Sequence, residues 1–137
     1  MMSIPELNDF ATRYTAAWCD HNAAGVASFF SETGSLQIND APPAKGRDAI
    51  AAAAQGFMTA FPDLVVTLDR LEVSGDRAKY YWTLTGTNTG SGGSGNKLQI
   101  SGYEQWRFGP DGLVAESRGH FNQADYNRQI SGQNEPA

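Results

Sequence analysis

The spacing of apolar residues changes once along this chain, near Leu64, and that change limits the folds open to it. Before Leu64 the apolar side chains recur every three or four residues, as on one face of a helix. After Leu64 they alternate with polar side chains, as along a half-buried strand. Helices therefore come first and strands follow, without alternation of single strands and helices. This order predicts an α+β fold in which helices cover one face of a curved antiparallel sheet.

Three helices are predicted before that point, at residues 4–20, 22–30 and 46–61. The first carries Leu7, Phe10, Tyr14 and Trp18 on one face. Gly34 helps to end the second helix, and Pro62 closes the third. A short strand is expected at residues 36–38, and turn residues at 39–43 indicate a loop.

Four strands are predicted after Leu64, at residues 64–73, 77–88, 98–108 and 113–121. A glycine-rich loop at residues 90–95 connects the middle pair, and it contains the spacing GxGxxG of a dinucleotide-binding turn. Such a turn needs a helix after it, whereas a strand follows here. We therefore interpret this loop as a flexible hairpin connection or a mobile lid.

Alternation along the third of these strands places a carboxylate on the apolar face. Glu104 has the same parity as Ile100 and Trp106, so its side chain is predicted to be buried. An ionised carboxylate there is costly unless it is paired, so its pKa should rise and it can serve as a protonated hydrogen-bond donor. Two alternatives stay open: a one-residue bulge that turns Glu104 to solvent, or an ion pair with Arg107 or Arg118.

The last strand has small side chains on one face and polar side chains on the other. The small residues are Ala115, Ser117 and Gly119, and the polar ones are Glu116, Arg118 and His120. The small residues leave room for a closely packed helix or for a ligand. The polar stripe is either a solvated or dimer-forming surface or a catalytic His/Glu pair.

Charge and cysteine content exclude several classes of function. The net charge is −5 and the basic residues form no run, which argues against nucleic-acid binding. Cys19 is the only cysteine, and the two histidines, His21 and His120, are far apart, so neither a disulfide nor a metal site is expected. No apolar run is long enough to span a membrane, and no secretory signal is recognised. We expect a cytoplasmic protein.

Aromatic residues are abundant where charged residues are scarce. Charged residues make up 18% of the chain, below the roughly 25% typical of soluble domains, and aromatic residues make up 11%. This imbalance predicts an apolar pocket that binds a small hydrophobic ligand. Its candidate lining residues are Trp18, Phe57, Phe61, Tyr80, Trp82, Trp106 and Phe121. The alternative is that these rings only fill the core.

Several short motifs, in this order, resemble the SnoaL-like polyketide cyclase branch of the nuclear transport factor two-like superfamily. They are Arg13-Tyr14 with Trp18, Phe29-Phe30, Gly46-Arg47-Asp48-Ala49-Ile50, Phe61-Pro62-Asp63, Thr85-Gly86-Thr87, Trp106-Arg107-Phe108 before Asp111-Gly112, and Gly119-His120-Phe121-Asn122 with Gln129. The resemblance covers about residues 4–130 and implies one domain at residues 1–130. The polar composition of residues 131–137 predicts a flexible tail. It implies a cone-shaped α+β fold, in which a curved antiparallel or mixed sheet wraps around three N-terminal helices and encloses an apolar pocket. It also implies a homodimer formed through the outer sheet face.

The same resemblance assigns roles to individual positions. Tyr14 and Glu104 correspond to the oxyanion-hole tyrosine and the protonated carboxylic acid of the ketosteroid isomerases in this superfamily. The general-base position of those isomerases holds Ile38, with Asp40 two residues away. The acid/base position of the polyketide cyclases holds Asn122, an amide that cannot exchange a proton. The Asp-Arg-Asp arrangement of the related epoxide hydrolases has no convincing counterpart here.

Two main hypotheses for function follow. In the first, a metal-free and cofactor-free cyclase or isomerase acts on a small hydrophobic carbonyl compound. Tyr14 and protonated Glu104 donate hydrogen bonds to the enolate oxygen, and His120 or Asp40 moves the proton. With Asn122, these are the candidate catalytic residues. In the second, the same aromatic pocket binds a hydrophobic ligand without turnover. An epoxide hydrolase-like enzyme is a further alternative.

Overall fold

The computed structural model describes residues 3–132, and these form the predicted α+β fold. In chain order its elements are α1 (Ile4–Cys19), α2 (Ala23–Ala27), β1 (Phe30–Ile38), β2 (Ala44–Lys45), α3 (Arg47–Ala60), β3 (Val65–Ser74), β4 (Arg77–Thr87), β5 (Lys97–Phe108), β6 (Val114–Phe121) and α4 (Gln123–Ser131). The four predicted strands after Leu64 correspond to β3, β4, β5 and β6. The antiparallel strands after Leu64 thus follow α1, α2 and α3 as predicted, whereas β1 and β2 precede α3 and α4 follows β6.

The six strands form one open, mixed sheet with the order β2-β1-β6-β5-β4-β3. Strands β3 to β6 make an antiparallel meander, as the turn chemistry between them predicts. Strand β1 is parallel to β6, and β2 is antiparallel to β1. The last strand therefore lies inside the sheet, between β5 and β1, and both of its edges are paired.

Helix α1 is defined at its start by a capping box. The Ser3 side chain accepts a hydrogen bond from the backbone N–H of Glu6, and the Glu6 side chain accepts one from the backbone N–H of Ser3. The helix buries the apolar face that its sequence predicts. At its centre Phe10 meets the ring of Trp106 from β5 edge to face, with ring centroids 5.6 Å apart. This contact fixes α1 against the inner face of the sheet.

The predicted second helix ends earlier than expected, because its last residues belong to a strand. Helix α2 stops at Ala27, and Phe30 begins β1, where it pairs with Val114 of β6. Gly34, expected to end the helix, lies within β1 at a shift in register. A Cβ there would lie 2.9 Å from the carbonyl oxygen of Val114. Pairing with a strand some eighty residues away overrides the local helical pattern.

Helix α4 was not predicted. The Asn122 side chain caps its start by accepting a hydrogen bond from the backbone N–H of Asp125, and Gly132 ends it with a φ of 74°. Its signal in the sequence is weak because none of its residues is fully buried and only Tyr126 and Ile130 contact the core. Ser131 lies in its last turn, so the expected tail starts inside a helix, and residues 133–137 lie outside the described part.

None of the four described helices is long and apolar enough to cross a membrane.

Candidate functional site

A cavity of about 60 Å³ lies between the helices and the inner face of the sheet. Its lining residues are Trp18, Leu36, Ile38, Phe57, Val66, Tyr80, Trp82, Leu84, Leu98, Ile100, Glu104, Gly119, Phe121 and Tyr126. Most of the lining is buried, and five lining residues are half-buried: Ile38, Phe57, Trp82, Phe121 and Tyr126. Glu104 is the one acidic or basic side chain in the lining, counted over residues 3–132.

The carboxyl group of Glu104 accepts hydrogen bonds from three neutral donors. The Tyr14 hydroxyl lies 3.0 Å from both carboxyl oxygens. Trp106 donates from Nε1 to Oε1 at 3.1 Å, and the Ser117 hydroxyl donates to Oε1 at 2.8 Å. No basic side chain in the described residues forms an ion pair with it. Glu104 is thus buried as the alternation predicts, and neither a bulge nor an arginine removes it from the inner face.

The strand register explains how these groups meet. Trp106 follows Glu104 by two residues on β5, so both side chains lie on the same face. Ser117 pairs with Trp106 across β5 and β6, next to Glu104. Tyr14 comes from α1, whose buried face covers this part of the sheet. A small residue at 117 therefore supplies a hydroxyl that fits beside the indole.

Burial and hydrogen bonding act on Glu104 in opposite directions. Removal from water raises its pKa above the ordinary value, and the hydrogen bonds from Trp106, Ser117 and Tyr14 lower the pKa and so oppose this. Burial, with the nearby charge of Glu104, raises the pKa of Tyr14 well above that of a free tyrosine. Tyr14 therefore stays a neutral donor while Glu104 titrates.

The two carboxyl oxygens differ in how much hydrogen-bonding capacity they retain. Oε1 accepts from Tyr14, Trp106 and Ser117, whereas Oε2 accepts only the hydrogen bond that it shares with Tyr14. A proton on this carboxyl group would therefore be placed on Oε2. Glu104 lines the cavity, whereas Tyr14 is fully buried and does not. A ligand in the cavity thus meets Glu104, with Tyr14 behind it.

Five of the seven aromatic side chains expected in the pocket line the cavity. They are Trp18, Phe57, Tyr80, Trp82 and Phe121. The other two are fully buried and lie in the core. The Trp106 ring stacks on Tyr80, with centroids 4.9 Å apart and planes 11° apart, and Phe61 packs against Gly86. Alternation for Trp106 and helical spacing for Phe61 predicted that both rings face inward, but neither pattern could separate the cavity wall from the layer behind it.

Three expected catalytic residues lie away from the cavity. His120 is exposed on the opposite face of the sheet, where its ring lies 5.0 Å from that of Tyr103. Asn122 uses its side-chain oxygen to cap α4. Asp40 is exposed in the turn after β1. The structure does not bring these three groups to Glu104.

Tyr126 is a lining residue that the sequence analysis missed. It lies on α4, and its ring is 5.6 Å from that of Phe121. Its spacing of four residues from Ile130, after the capping asparagine Asn122, is the signal that would have identified it.

The glycine-rich loop at residues 90–95 does not line the cavity. Its Gly90 and Gly93 lie so close to carbonyl oxygens that a Cβ would be 2.1 and 2.3 Å from them.

The described residues contain no cluster of three side chains suited to hold a metal ion.

Comparisons with known proteins agree on the family and the fold. The family model for SnoaL-like polyketide cyclase matches residues 8–130. No curated protein matches the sequence. Among solved structures, TsrD from Streptomyces laurentii superposes with a TM-score of 0.82 at 19% identity, covering 95% of this chain and 98% of TsrD.

Two further structures share the fold at lower identity. One is a hypothetical protein with a ketosteroid isomerase-like fold from Catenulispora acidiphila, crystallised with trimethylamine. It has a TM-score of 0.79 and 14% identity, and the match covers 93% of this chain and 98% of that one. The other is SalBIII, an epoxide hydrolase/cyclase-like enzyme in pyran ring formation of the polyether salinomycin. It has a TM-score of 0.77 and 14% identity, and the match covers 91% of this chain and 97% of that one.

Proposed function

Because this chain belongs to the SnoaL-like polyketide cyclase family, we propose that it is a cyclase or isomerase that transfers a proton on a small hydrophobic carbonyl compound. One observation carries the proposal: Glu104 is the single carboxyl group that the described residues place in an otherwise apolar cavity. Buried carboxyl groups with raised pKa values are suited to general acid–base work near neutral pH. The cyclase-like role of SalBIII on the same fold supports this reaction class.

Glu104 can complete such a reaction alone. Its ionised Oε2 takes a proton from the carbon beside the carbonyl group. The electron pair of that C–H bond forms a C=C bond, and the π pair of the C=O bond moves to oxygen to give an enolate. In an isomerisation, Glu104 returns the proton to another carbon. In an intramolecular aldol cyclisation, the enolate carbon attacks a second carbonyl group, and the new alkoxide takes the proton from Glu104. Either route restores the carboxylate.

Tyr14 acts in this proposal as a positioning residue. Its hydroxyl proton is engaged by both oxygens of Glu104, so it orients the carboxyl group and does not touch the ligand. The oxyanion role expected for protonated Glu104 has the opposite pH dependence. A base becomes more active as pH rises through the pKa of Glu104, whereas a protonated donor becomes less active.

The test follows exchange of the α-protons of butanone in deuterium oxide by NMR, over a series of pH values. We expect the protein to catalyse exchange, with a rate that rises with pH, and Glu104→Gln to abolish it. His120→Ala, which changes an exposed residue on the other sheet face, should keep the wild-type rate. Exchange at the wild-type rate in Glu104→Gln would exclude Glu104 as the base.

A ligand-binding module is the second candidate function. It is favoured by the absence of a second acid or base among the lining residues within 3–132. Proton exchange separates the two candidates, and Gly119→Ala shows whether butanone binds in the cavity. Its methyl group would enter the cavity beside Glu104, 3.8 Å from the Glu104 Cγ, without removing the carboxyl group. If butanone binds to the wild type, binds more weakly to Gly119→Ala and exchanges no proton, the binding module is the correct function. An epoxide hydrolase needs further carboxyl and guanidinium groups, which this part of the chain does not place in the cavity.

We also propose that the protein is a homodimer formed through the outer face of β3–β6. A row of side chains crosses the middle of that face from strand to strand, with Arg70 over Tyr81, Tyr81 beside Tyr103, and Tyr103 beside His120. Aromatic side chains and arginine are enriched at the centres of protein interfaces.

A further inference from the structure

The cavity combines aromatic walls with a carboxyl group that has no basic partner among residues 3–132. Six aromatic side chains line it: Trp18, Phe57, Tyr80, Trp82, Phe121 and Tyr126. Neighbouring rings are steeply inclined, by 68° between Trp82 and Phe121 and by 66° between Trp18 and Phe57. The walls of the cavity therefore face in several directions. Aromatic faces attract cations through the negative charge density of their π-systems.

When the Glu104 carboxyl group is ionised, no positive charge among the described residues neutralises it. Its donors Tyr14, Trp106 and Ser117 are neutral, so they satisfy hydrogen bonds without cancelling the charge. A net negative charge in apolar surroundings carries a large desolvation penalty. A neutral ligand leaves that charge uncompensated, whereas a cation placed beside Oε2 offsets it.

We propose that this cavity also binds a small alkylammonium ion, with its nitrogen beside Oε2 of Glu104 and its alkyl groups against the aromatic side chains. The free volume of about 60 Å³ admits a cation of only a few heavy atoms unless lining side chains move. The inference goes beyond the proposed proton transfer, because it requires binding and no reaction.

A cation and a proton compete for Glu104. The titratable groups nearest to it are Tyr14 from α1 and Tyr80 from β4, and Tyr126 from α4 faces the same cavity. Burial raises the pKa of each of these tyrosines, so they remain neutral while Glu104 titrates. Affinity for the cation should therefore rise with pH through the pKa of Glu104, whereas a neutral molecule of the same shape should show no such rise.

The experiment compares trimethylammonium chloride with tert-butanol, which presents three methyl groups without a charge. Each is titrated into the protein between about pH 4 and about pH 8, where the amine stays protonated, and binding is followed by NMR of the tryptophan indole resonances. We expect trimethylammonium to bind more tightly as pH rises. Glu104→Gln should weaken trimethylammonium binding by about tenfold or more at the upper pH and change tert-butanol binding by less than about threefold.

Two further variants keep the test informative if Glu104→Gln fails to fold. Ser117→Ala retains the carboxyl group and removes a donor that lowers its pKa, so the pH midpoint of trimethylammonium binding should move upward. Trp82→Leu keeps an apolar wall without the ring, so it should weaken trimethylammonium binding more than tert-butanol binding. Equal binding of both molecules, or no trimethylammonium binding at the upper pH, would overturn the inference. Catalysed exchange of butanone would still stand in that case, so the two proposals fail separately.

Discussion

Glu104 is stabilised in its two protonation states by different parts of its surroundings. Apolar contacts favour the neutral acid, and the three hydrogen-bond donors favour the carboxylate. Because the net effect raises the pKa, the folded protein holds this proton more tightly than the unfolded chain does. The contribution of Glu104 to the free energy of unfolding is therefore fully present below the unfolded pKa. It is lost as pH rises through the folded pKa.

We expect Glu104→Gln to remove this contribution. The free energy of unfolding of the wild type, minus that of the variant, should fall as pH rises from about 4 to about 8. The difference is the quantity to use because exposed carboxyl groups with lowered pKa values, such as Asp63 and Asp111, act in the opposite direction in both proteins. Urea unfolding at each pH measures it. A difference that rises with pH would show that the folded pKa is lowered.

Tyr14→Phe tests the hydrogen bond that supports the carboxyl group. The variant keeps the ring and leaves Glu104 with two donors, so we expect a loss of about 1–2 kcal/mol in the free energy of unfolding. Tyr81→Phe is the matched control, because its hydroxyl donates to Glu72 on the exposed face and its loss should change stability by less than about 0.5 kcal/mol. Equal losses in the two variants would contradict a special contribution from the Tyr14 hydroxyl.

Alternation and helical spacing were sufficient to predict that Glu104, Tyr14 and most lining rings face inward. They could not show that Tyr14 donates to both carboxyl oxygens, because that contact depends on how α1 crosses the sheet. Nor could they show that the Ser117 hydroxyl donates to Glu104. A small residue in a strand pattern indicates free space beside the strand, but it does not show which group occupies that space. The chemistry of this site depends on contacts between helices and strands, whereas sequence periodicity predicts only the face of the helix or strand on which each side chain lies.

At the scale of elements, strand β5 depends on one close backbone approach. A Cβ on Gly102 would lie 2.2 Å from the carbonyl oxygen of His120 and 2.8 Å from the Trp82 ring. Glycine is thus required for β5 to pair with β6 while Trp82 covers the strand. The pairing of β1 with β6 was beyond sequence reasoning because it depends on a distant partner, whereas α4 left only the weak local signal of its cap and of the spacing between Tyr126 and Ile130.

Gly102→Ala and Gly56→Ala form a matched pair of substitutions. The first should destabilise the protein by about 2 kcal/mol or more, because backbone must move to admit the methyl group. Gly56 lies in α3 with nothing within 4 Å of its would-be Cβ, so alanine there should stabilise the protein by about 0.5–1 kcal/mol. Thermal unfolding of both variants measures the contrast. Similar stability of the two would contradict the close approach at Gly102.

At the scale of the molecule, the two faces of the sheet differ in what they contact. The inner face holds the core and the cavity, and the outer face exposes the row formed by Arg70, Tyr81, Tyr103 and His120. Both signs of charge flank that row, since Arg118 pairs with Glu116 and Arg70 pairs with Glu72. A second copy related by a two-fold axis can therefore place opposite charges against each other around a centre of rings.

We expect the protein to sediment as a dimer that dissociates on dilution. Tyr103→Glu should shift it toward monomer, because it buries a carboxylate at the centre of the expected interface next to Tyr81. Ala52→Glu, an exposed change on α3, adds the same charge elsewhere and should leave the association unchanged. Sedimentation velocity over a range of concentrations distinguishes these outcomes. A wild type that sediments as a monomer throughout would show that the row of rings has another role, and a dimeric Tyr103→Glu would place the interface on another surface.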